Sequence, residues 1–255
     1  MCAEFARLVA ERSPDLHVAV TPIAGGLAVY AGPGAPMNKV IGLGLGDALD
    51  EPSLAGVEAE WAARGEGVRV ELSTLDDGAV ARMLTSRGYR ILGFENVLGR
   101  QLDAADPRHV ADVHIEQLEP GDLDTWLQVT KDGFAHPDEG PLPTEVHAGD
   151  ALDGIFRDMS QVSGLTRYLA RVGGIAAGAA SVRIDARLAQ LTGAATLPAF
   201  RRRGVQTALT LQRLTDARAA GCDLAVVTTA PGSKSQENAQ RRGFELLYAR
   251  AILVK

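Results

Sequence analysis

Two stretches of this chain repeat each other at a fixed distance. RGYRILGFENVLGR (Arg87 to Arg100) and RGFELLYARAILVK (Arg242 to Lys255) share an Arg-Gly-aromatic opening and much of their apolar pattern, and 242 − 87 sets the spacing at 155. The same spacing holds upstream, where Ser73-Thr74 falls opposite Thr228-Thr229. Each of these pairs ends a short apolar run, VRVEL or LAVV, that reads as a buried strand behind a helix stopped near glycine. Both halves should then carry helix, strand, helix and strand hairpin in the same order. A period this long exceeds any solenoid unit and implies duplication of a whole domain. The first half starts only at the equivalent of the second helix of the later half, so it lacks a counterpart of the opening strand and helix.

A chain of 255 residues with 26 Lys+Arg against 32 Asp+Glu and 46% hydrophobic content has the composition of an ordinary globular protein of one or two domains. The net charge of -6 argues against a chain that coats nucleic acid and leaves room for one local basic site. Cys2 and Cys222 cannot build a disulfide framework, and MCAEFARLVAERSPDL places Glu4, Arg7 and Glu11 where a signal peptide needs an apolar core. No apolar run reaches the roughly 18 residues of a membrane span. The expected compartment is the cytoplasm, with no membrane or nucleic-acid partner and room for a homodimer.

The polar stretch Gln101 to Val113, with Pro107, marks the boundary between a first domain, residues 1–103, and a second, residues 113–255. The second reads as strand His114 to Leu118, helix Gly121 to Phe134, a loop around AHPDEGPLP and helix Gly149 to Met159. Strands Thr166 to Arg171 and Ala176 to Ile184 meet at Gly173-Gly174, where glycines supply the positive φ of a tight turn. Strand Leu188 to Leu197, helix Arg203 to Ala220, strand Leu224 to Thr228, helix Ser235 to Arg241 and a final pair of strands follow. The alternation predicts an α/β (α+β) fold with a mixed sheet and helices on its faces.

The segment LTGAATLPAFRRRGVQTALTLQRL runs a strand into three arginines, a glycine and a helix of good formers. The first N–H groups of a helix lack intrahelical partners and the dipole there is positive, so a phosphate can accept their hydrogen bonds. Gly204 removes a side chain that would hold a pyrophosphate off the backbone. By itself an Arg triplet also suits a solvated basic patch or a nucleic-acid contact, in which Arg241 and Arg242 would join.

Arg201-Arg202-Arg203-Gly204-Val205-Gln206 resembles the Q/R-x-x-G-x-G/A pyrophosphate loop of the GNAT superfamily of N-acetyltransferases. The later RRGF is similar to that family's KxGF close. The resemblance covers about Val113 to Lys255. It implies two GNAT-like domains, each a mixed, mostly antiparallel central sheet flanked by helices, and acetyl-CoA as the acetyl donor. Phosphates would sit on the amides of Arg202, Arg203, Gly204, Val205, Gln206 and Thr207. Gln206 stands where the family has a small residue, so its side chain must point away. The strands Leu188 to Leu197 and Leu224 to Thr228 would splay, leaving backbone around Thr196 and Leu197 for the pantetheine arm. A Ser of the turn at Gly232 to Ser235, or Asn238, either touches the cofactor or, for the serines, simply caps a helix.

The repeat places Gly46-Asp47-Ala48-Leu49-Asp50-Glu51 opposite Arg201 to Gln206. Three carboxylates there would repel a pyrophosphate, so the first half should be a degenerate copy without cofactor. Gly42, Gly44 and Gly46 imitate a dinucleotide fingerprint, with Asp47 in the place of the last glycine. Gly-Ser-Lys-Ser (Gly232 to Ser235) imitates the end of a P-loop without its first glycine and reads as a helix-starting turn capped by Ser233 or Ser235.

The expected reaction is acetyl transfer from acetyl-CoA to an amine, through an oxyanion held by backbone N–H groups near Leu197. The carboxylate and tyrosine that relatives use as base and acid are not visible: the strand LAQLTGAATL has no carboxylate and Ala239 occupies the tyrosine position. His136, in a loop with Asp138 and Glu139, is the candidate base at neutral pH, and the acidic residues there suit a cationic acceptor. No metal ligands are expected. The alternative is a non-catalytic acyl-CoA-binding or interaction module. The sequence does not name the acceptor.

Overall fold

The computed structural model describes residues 1–76, 78–104, 110–118, 123–137 and 157–255. The chain forms two compact units. One contains Met1–Asn96, residues 157–162 and Tyr248–Lys255; the other contains residues 97–137 and Ser163–Leu247. The division runs within two strands, after Asn96 and after Leu247.

In the first unit, helix α1 (Cys2–Arg12) precedes the antiparallel strands β1 (Ala19–Ile23) and β2 (Gly26–Tyr30). They turn at Ala24-Gly25, where φ is 47° and 74°, a pair of left-handed residues that matches the twist of a two-residue hairpin. Strand β3 (Lys39–Leu43) pairs antiparallel with β2, and parallel β4 (Arg69–Ser73) follows through helix α2 (Glu51–Ala62). Helix α3 (Ala79–Ser86) leads into β5 (Arg90–Gln101), and the final strand adds residues 250–254 antiparallel to β4. Strand alternation separates two cores. Ala28, Tyr30, Val40, Val70 and Leu72 pack with Leu54, Val57 and Trp61 of α2, while Val29 and Ala31 pack with Phe5, Ala6 and Val9 of α1.

Across this unit's strands runs a chain of ion pairs. Lys39 Nζ meets Glu71 at 3.0 Å with both side chains buried, Arg250 meets Glu71 at 2.5 Å, and Arg250 Nη2 meets Glu95 at 2.6 Å. Glu95 and Arg250 are themselves 155 residues apart, equivalent positions of the repeat.

The second unit orders its strands β10-β9-β8-β7-β6. Here β6 is His114–Gln117, β7 Leu165–Val172, β8 Ile175–Asp185, β9 Leu188–Thr196 and β10 Leu224–Thr229. All neighbours are antiparallel except β9 and β10, which run parallel around helix α5 (Val205–Ala219). The β7–β8 turn is Gly173-Gly174, with φ of 58° and 81°. Helices α4 (Leu123–Ala135) and α5 pack on β8 and β9, and α6 (Lys234–Gln240) precedes the last strand, β11 (Glu245–Val254). This is the expected mixed α/β architecture with a mostly antiparallel sheet.

The repeat is visible in the backbone. β4 and β10 start at Arg69 and Leu224, α3 and α6 at Ala79 and Lys234, β5 and β11 at Arg90 and Glu245. Each Arg-Gly-aromatic triplet closes its helix the same way. Gly88 and Gly243 are left-handed, with φ of 88° and 80°; Tyr89 N–H donates to Leu84 O at 3.1 Å and Phe244 N–H to Ala239 O at 3.2 Å. A left-handed residue with a bond back to the last turn is the usual device for stopping a helix.

Each expected terminal hairpin is instead one long strand. Gly93 and Gly99 keep ordinary φ, and LLYARAILV has no turn residue. Gly99 serves close approach instead: a Cβ there would lie 2.6 Å from the Leu247 side chain. Of the expected helix Gly149 to Met159, the described residues 157–160 are helical; Asp138, Glu139 and Pro107 lie outside the described residues. Among the described residues no helix is long and apolar enough to cross a membrane.

Candidate functional site

Helix α5 opens on a built concavity. Its N-cap is Gly204, at φ 82°, with no side chain to cap the helix, and Arg202 is also left-handed at φ 62°, on the other side of Arg203, which is not. Alternation of left- and right-handed residues turns successive N–H groups to one side and makes an anion nest. The first amide taken up by the helix is that of Ala208, donating to Gly204 O at 2.9 Å. The amides before it are the helix's unsatisfied donors. Glycine is required at 204 by packing as well as by φ, since a Cβ would lie 2.6 Å from Val110 Cγ1.

The arginines differ in surroundings. Arg201 Nη2 donates to the His136 carbonyl, the Arg203 guanidinium lies 5.7 Å over the Phe200 ring, and Arg202 is exposed. Val205 is buried against β8, near Gly178. Gln206 and Thr207 line a cavity of about 100 Å³ between α5 and α6, with Thr210, Asn238, Arg241 and Arg242. Arg242 donates to Thr207 Oγ1 at 2.8 Å and Arg241 to Asn238 Oδ1 at 3.1 Å. Ser233 caps α6, accepting from Gln236 N–H at 3.2 Å.

The strands beside this helix start part company. Parallel pairing of β9 and β10 runs from Leu188/Leu224 to Leu191/Val227, yet β9 continues to Thr196 and β10 to Thr229. Leu197 N–H donates to Ala177 O at 3.0 Å, so the amide of Leu197 is already engaged with β8. By the alternation of an antiparallel ladder, Thr196 N–H and C=O therefore face the other way, toward the opening. The hydroxyls of Thr196 and Thr229 are buried there without a hydrogen-bond partner among the described residues. Orphaned hydroxyls at the ends of two diverging strands fit a polar ligand arm laid between them.

In the β8–β9 ladder the register shifts, Ala179 facing Ala195 but Ser181 facing Thr192, so Gly193 and Ala194 both oppose Ala180. This bulge has Gly193 at φ 61°. Buried Trp126 of α4 donates its indole N–H to Ala180 O at 3.1 Å. The end of α4 presents His136, exposed, with Nδ1 2.9 Å from Asp132 O. A ring nitrogen facing a carbonyl must be the donor, which leaves Nε2 as the proton acceptor. Among the described residues no group of three His, Cys, Asp or Glu side chains gathers as a metal site would.

Sequence reasoning missed Arg213. It sits on α5 in line with Val205, Leu209 and Ala217, four residues apart on one buried stripe, and is 2% exposed. An arginine in the middle of an apolar stripe was the available signal. Burial pulls its guanidinium down to about 10 despite the nearby Tyr168, which still leaves it charged at neutral pH.

The acetyltransferase (GNAT) family model matches residues 131–244. No curated protein matches the sequence. Solved structures share the fold along nearly the whole chain. A GCN5-related N-acetyltransferase from Kribbella flavida is 17% identical, with 98% of this chain and 95% of that one covered, at a TM-score of 0.69. A tandem GNAT protein from the clavulanic acid biosynthesis pathway is 13% identical, with 100% and 94% covered, at 0.66. A conserved protein of unknown function from Staphylococcus epidermidis is 12% identical, with 94% of each chain covered, at 0.63. The open helix start, the split parallel strand pair and the match to the acetyltransferase (GNAT) family model all fall on the same segment, residues 131–244.

Proposed function

We propose that this chain is an N-acetyltransferase that takes acetyl from acetyl-CoA and passes it to an amine. The single observation behind the reading is the open N-terminus of α5, a nest of amides with a glycine cap and three preceding arginines. Hydrogen bonds to charged groups contribute roughly 1.5 to 3 kcal/mol each, so several on one pyrophosphate anchor the nucleotide. Thr196 and Thr229 would receive the pantetheine arm, and Asn238, Arg241 and Arg242 lie in reach of the nucleotide end along the α5–α6 cavity.

The attacking amine must be neutral. A lysine-like amine of pKa about 10.4 needs roughly 4 to 5 kcal/mol to shed its proton at pH 7, and His136 Nε2 is the group assigned to take it. The C–N bond then forms at the thioester carbonyl to give a tetrahedral oxyanion, the C–S bond breaks as that oxyanion collapses, and the thiolate leaves with the proton taken from the amine.

We further propose that residues 1–103 and 113–255 descend from one GNAT-like domain and that only the second binds cofactor. Calorimetry with acetyl-CoA should give one site per chain; two sites would end the degenerate-copy reading, and none would end the acetyltransferase reading. His136→Ala should retain CoA affinity and lose turnover at least 10-fold against responsive amines; unchanged turnover would remove it as the base. A non-catalytic acyl-CoA-binding role is favoured by two features: β9 lacks a carboxylate, and Ala239 stands at the position where relatives carry a tyrosine. Transfer to any member of a broad amine panel would dismiss that role.

A further inference from the structure

Arg213 is a buried cation, and every partner it has among the described residues is a neutral oxygen. Nε donates to Leu209 O at 3.1 Å, Nη1 to Ser181 O at 3.1 Å and Thr192 O at 3.4 Å, and Nη2 to Thr210 Oγ1 at 3.4 Å. Asp216 is occupied elsewhere, accepting from Tyr168 OH and Gln212. A desolvated guanidinium without a counter-ion is costly, and packing alone would be served as well by leucine or methionine.

The placement of its two strand carbonyls explains the cost. Ser181 and Thr192 face each other across the β8–β9 ladder at the residue pair where the register shifts, immediately before Gly193 and Ala194. Ser181 Oγ also donates to Thr192 O at 3.2 Å. Thr192 O is thus held toward β8 and α5 by two donors. The Thr192–Gly193 peptide is planar and trans, so the Gly193 N–H must point the opposite way, to the flank of β10. On that flank β9 and β10 have ceased to pair, the last partners being Leu191 and Val227. A cation on the carbonyl of a peptide also draws charge through the amide and strengthens its N–H as a donor.

We propose that Arg213 is a positioning residue for acyl transfer: through the Thr192 carbonyl it aims and polarises the Gly193 N–H toward the thioester carbonyl bound between β9 and β10. The inference rests on the acetyltransferase reading above. It makes Arg213 responsible for activating the donor rather than for holding it. Methionine at this position would fill much of the volume and leave the peptide free to tilt. Lysine would keep the charge but reach one carbonyl where the planar fork reaches several oxygens.

The test uses acetyl-CoA labelled with ¹³C at the acetyl carbonyl and the full-length protein, with the carbonyl stretch read by infrared difference spectroscopy. This readout requires no knowledge of the acceptor. Wild-type protein should shift the bound carbonyl stretch to lower frequency than in free acetyl-CoA. Arg213→Met should return most of that shift while CoA affinity changes less than about 3-fold, and Arg213→Lys should keep part of it. Near-ultraviolet circular dichroism identifies a variant that has lost its packing. If Arg213→Met fails that check, Arg213→Lys decides alone: a partial loss of shift supports the assignment, and a full wild-type shift overturns it. A wild-type shift retained by a folded Arg213→Met also overturns it and leaves the acetyltransferase reading standing. Failure of the wild-type protein to bind acetyl-CoA at all would overturn both.

Discussion

Helices α2 and α5 start at almost the same place in the two halves of the repeat, and the two starts are finished in opposite ways. α2 is capped by Asp50, whose carboxylate accepts from Ser53 N–H at 2.8 Å and Ser53 Oγ at 2.7 Å. Those bonds, the hydroxyl first and the amide second, hold the Asp50 carboxyl below the ordinary carboxylate range. The positive end of α2 therefore already contains an anion, one supplied by the chain. α5 has no side chain at its cap and cations ahead of it. One architectural position can thus be closed by an internal charge or left open for an external one, and the fold around it need not change.

Placing a carboxylate at the open start is the strongest way to break the contrast. Gly204→Asp should abolish acetyl-CoA binding, by at least 100-fold in calorimetry, because it combines like charge with a Cβ against Val110 and a left-handed φ. Retained binding would refute the nest as the phosphate site. Next in size is the acid stability of the first unit. Burial alone would raise the Glu58 carboxyl, but hydrogen bonds and charge from Arg87 and Lys255 outweigh it and hold the group at about 2 against an ordinary 4.5. A depressed carboxylate stabilises fully above pH 4.5 and loses that contribution as pH falls toward 2. Glu58→Gln should then cost about 1–2 kcal/mol at pH 7, after allowance for solvent screening, and the gap to wild type in denaturant melts should close by pH 2.

The shared turn offers a test in which the halves should agree. Gly88→Ala forces a left-handed alanine into open space and Gly243→Ala one into ordinary contact with the Arg100 side chain at 3.9 Å, and each should cost about 1–2 kcal/mol; costs that differ more than twofold would show that the repeated turn is not energetically equivalent. Smallest is the loss of the α2 cap. Asp50→Ala should lower Tm by about 2–3 °C and create no second acetyl-CoA site, whereas a second site would make the carboxylate the sole reason for silence in the first half.

Much of this was legible in the sequence because it is local. Gly88, Gly243, the glycine pair at 173–174 and the strand-Arg-Arg-Arg-Gly-helix run are decided within a few residues by φ and by helix-end chemistry. What stayed hidden depends on partners far along the chain. That Leu197 gives its amide to Ala177 is a matter of ladder register, and the bulge at Gly193 appears only once β8 and β9 are aligned. Arg213 could be suspected from its place on a buried stripe, but its meaning needs the carbonyls of Ser181 and Thr192. The terminal hairpins failed because nothing there demands a turn: Gly99 answers to the bulk of Leu247, and LLYARAILV has no turn residue.

The bridge between Glu95 and Arg250 bears on the proposed descent of both halves from one domain. These residues occupy the same position in the repeat and touch each other. While two copies are identical, any residue that meets its own counterpart meets its own charge, and Glu against Glu or Arg against Arg repels. An attractive pair at such a position is open only to a chain whose halves mutate independently. Joining the copies in one polypeptide thus lifts a symmetry constraint that a homodimer could never escape.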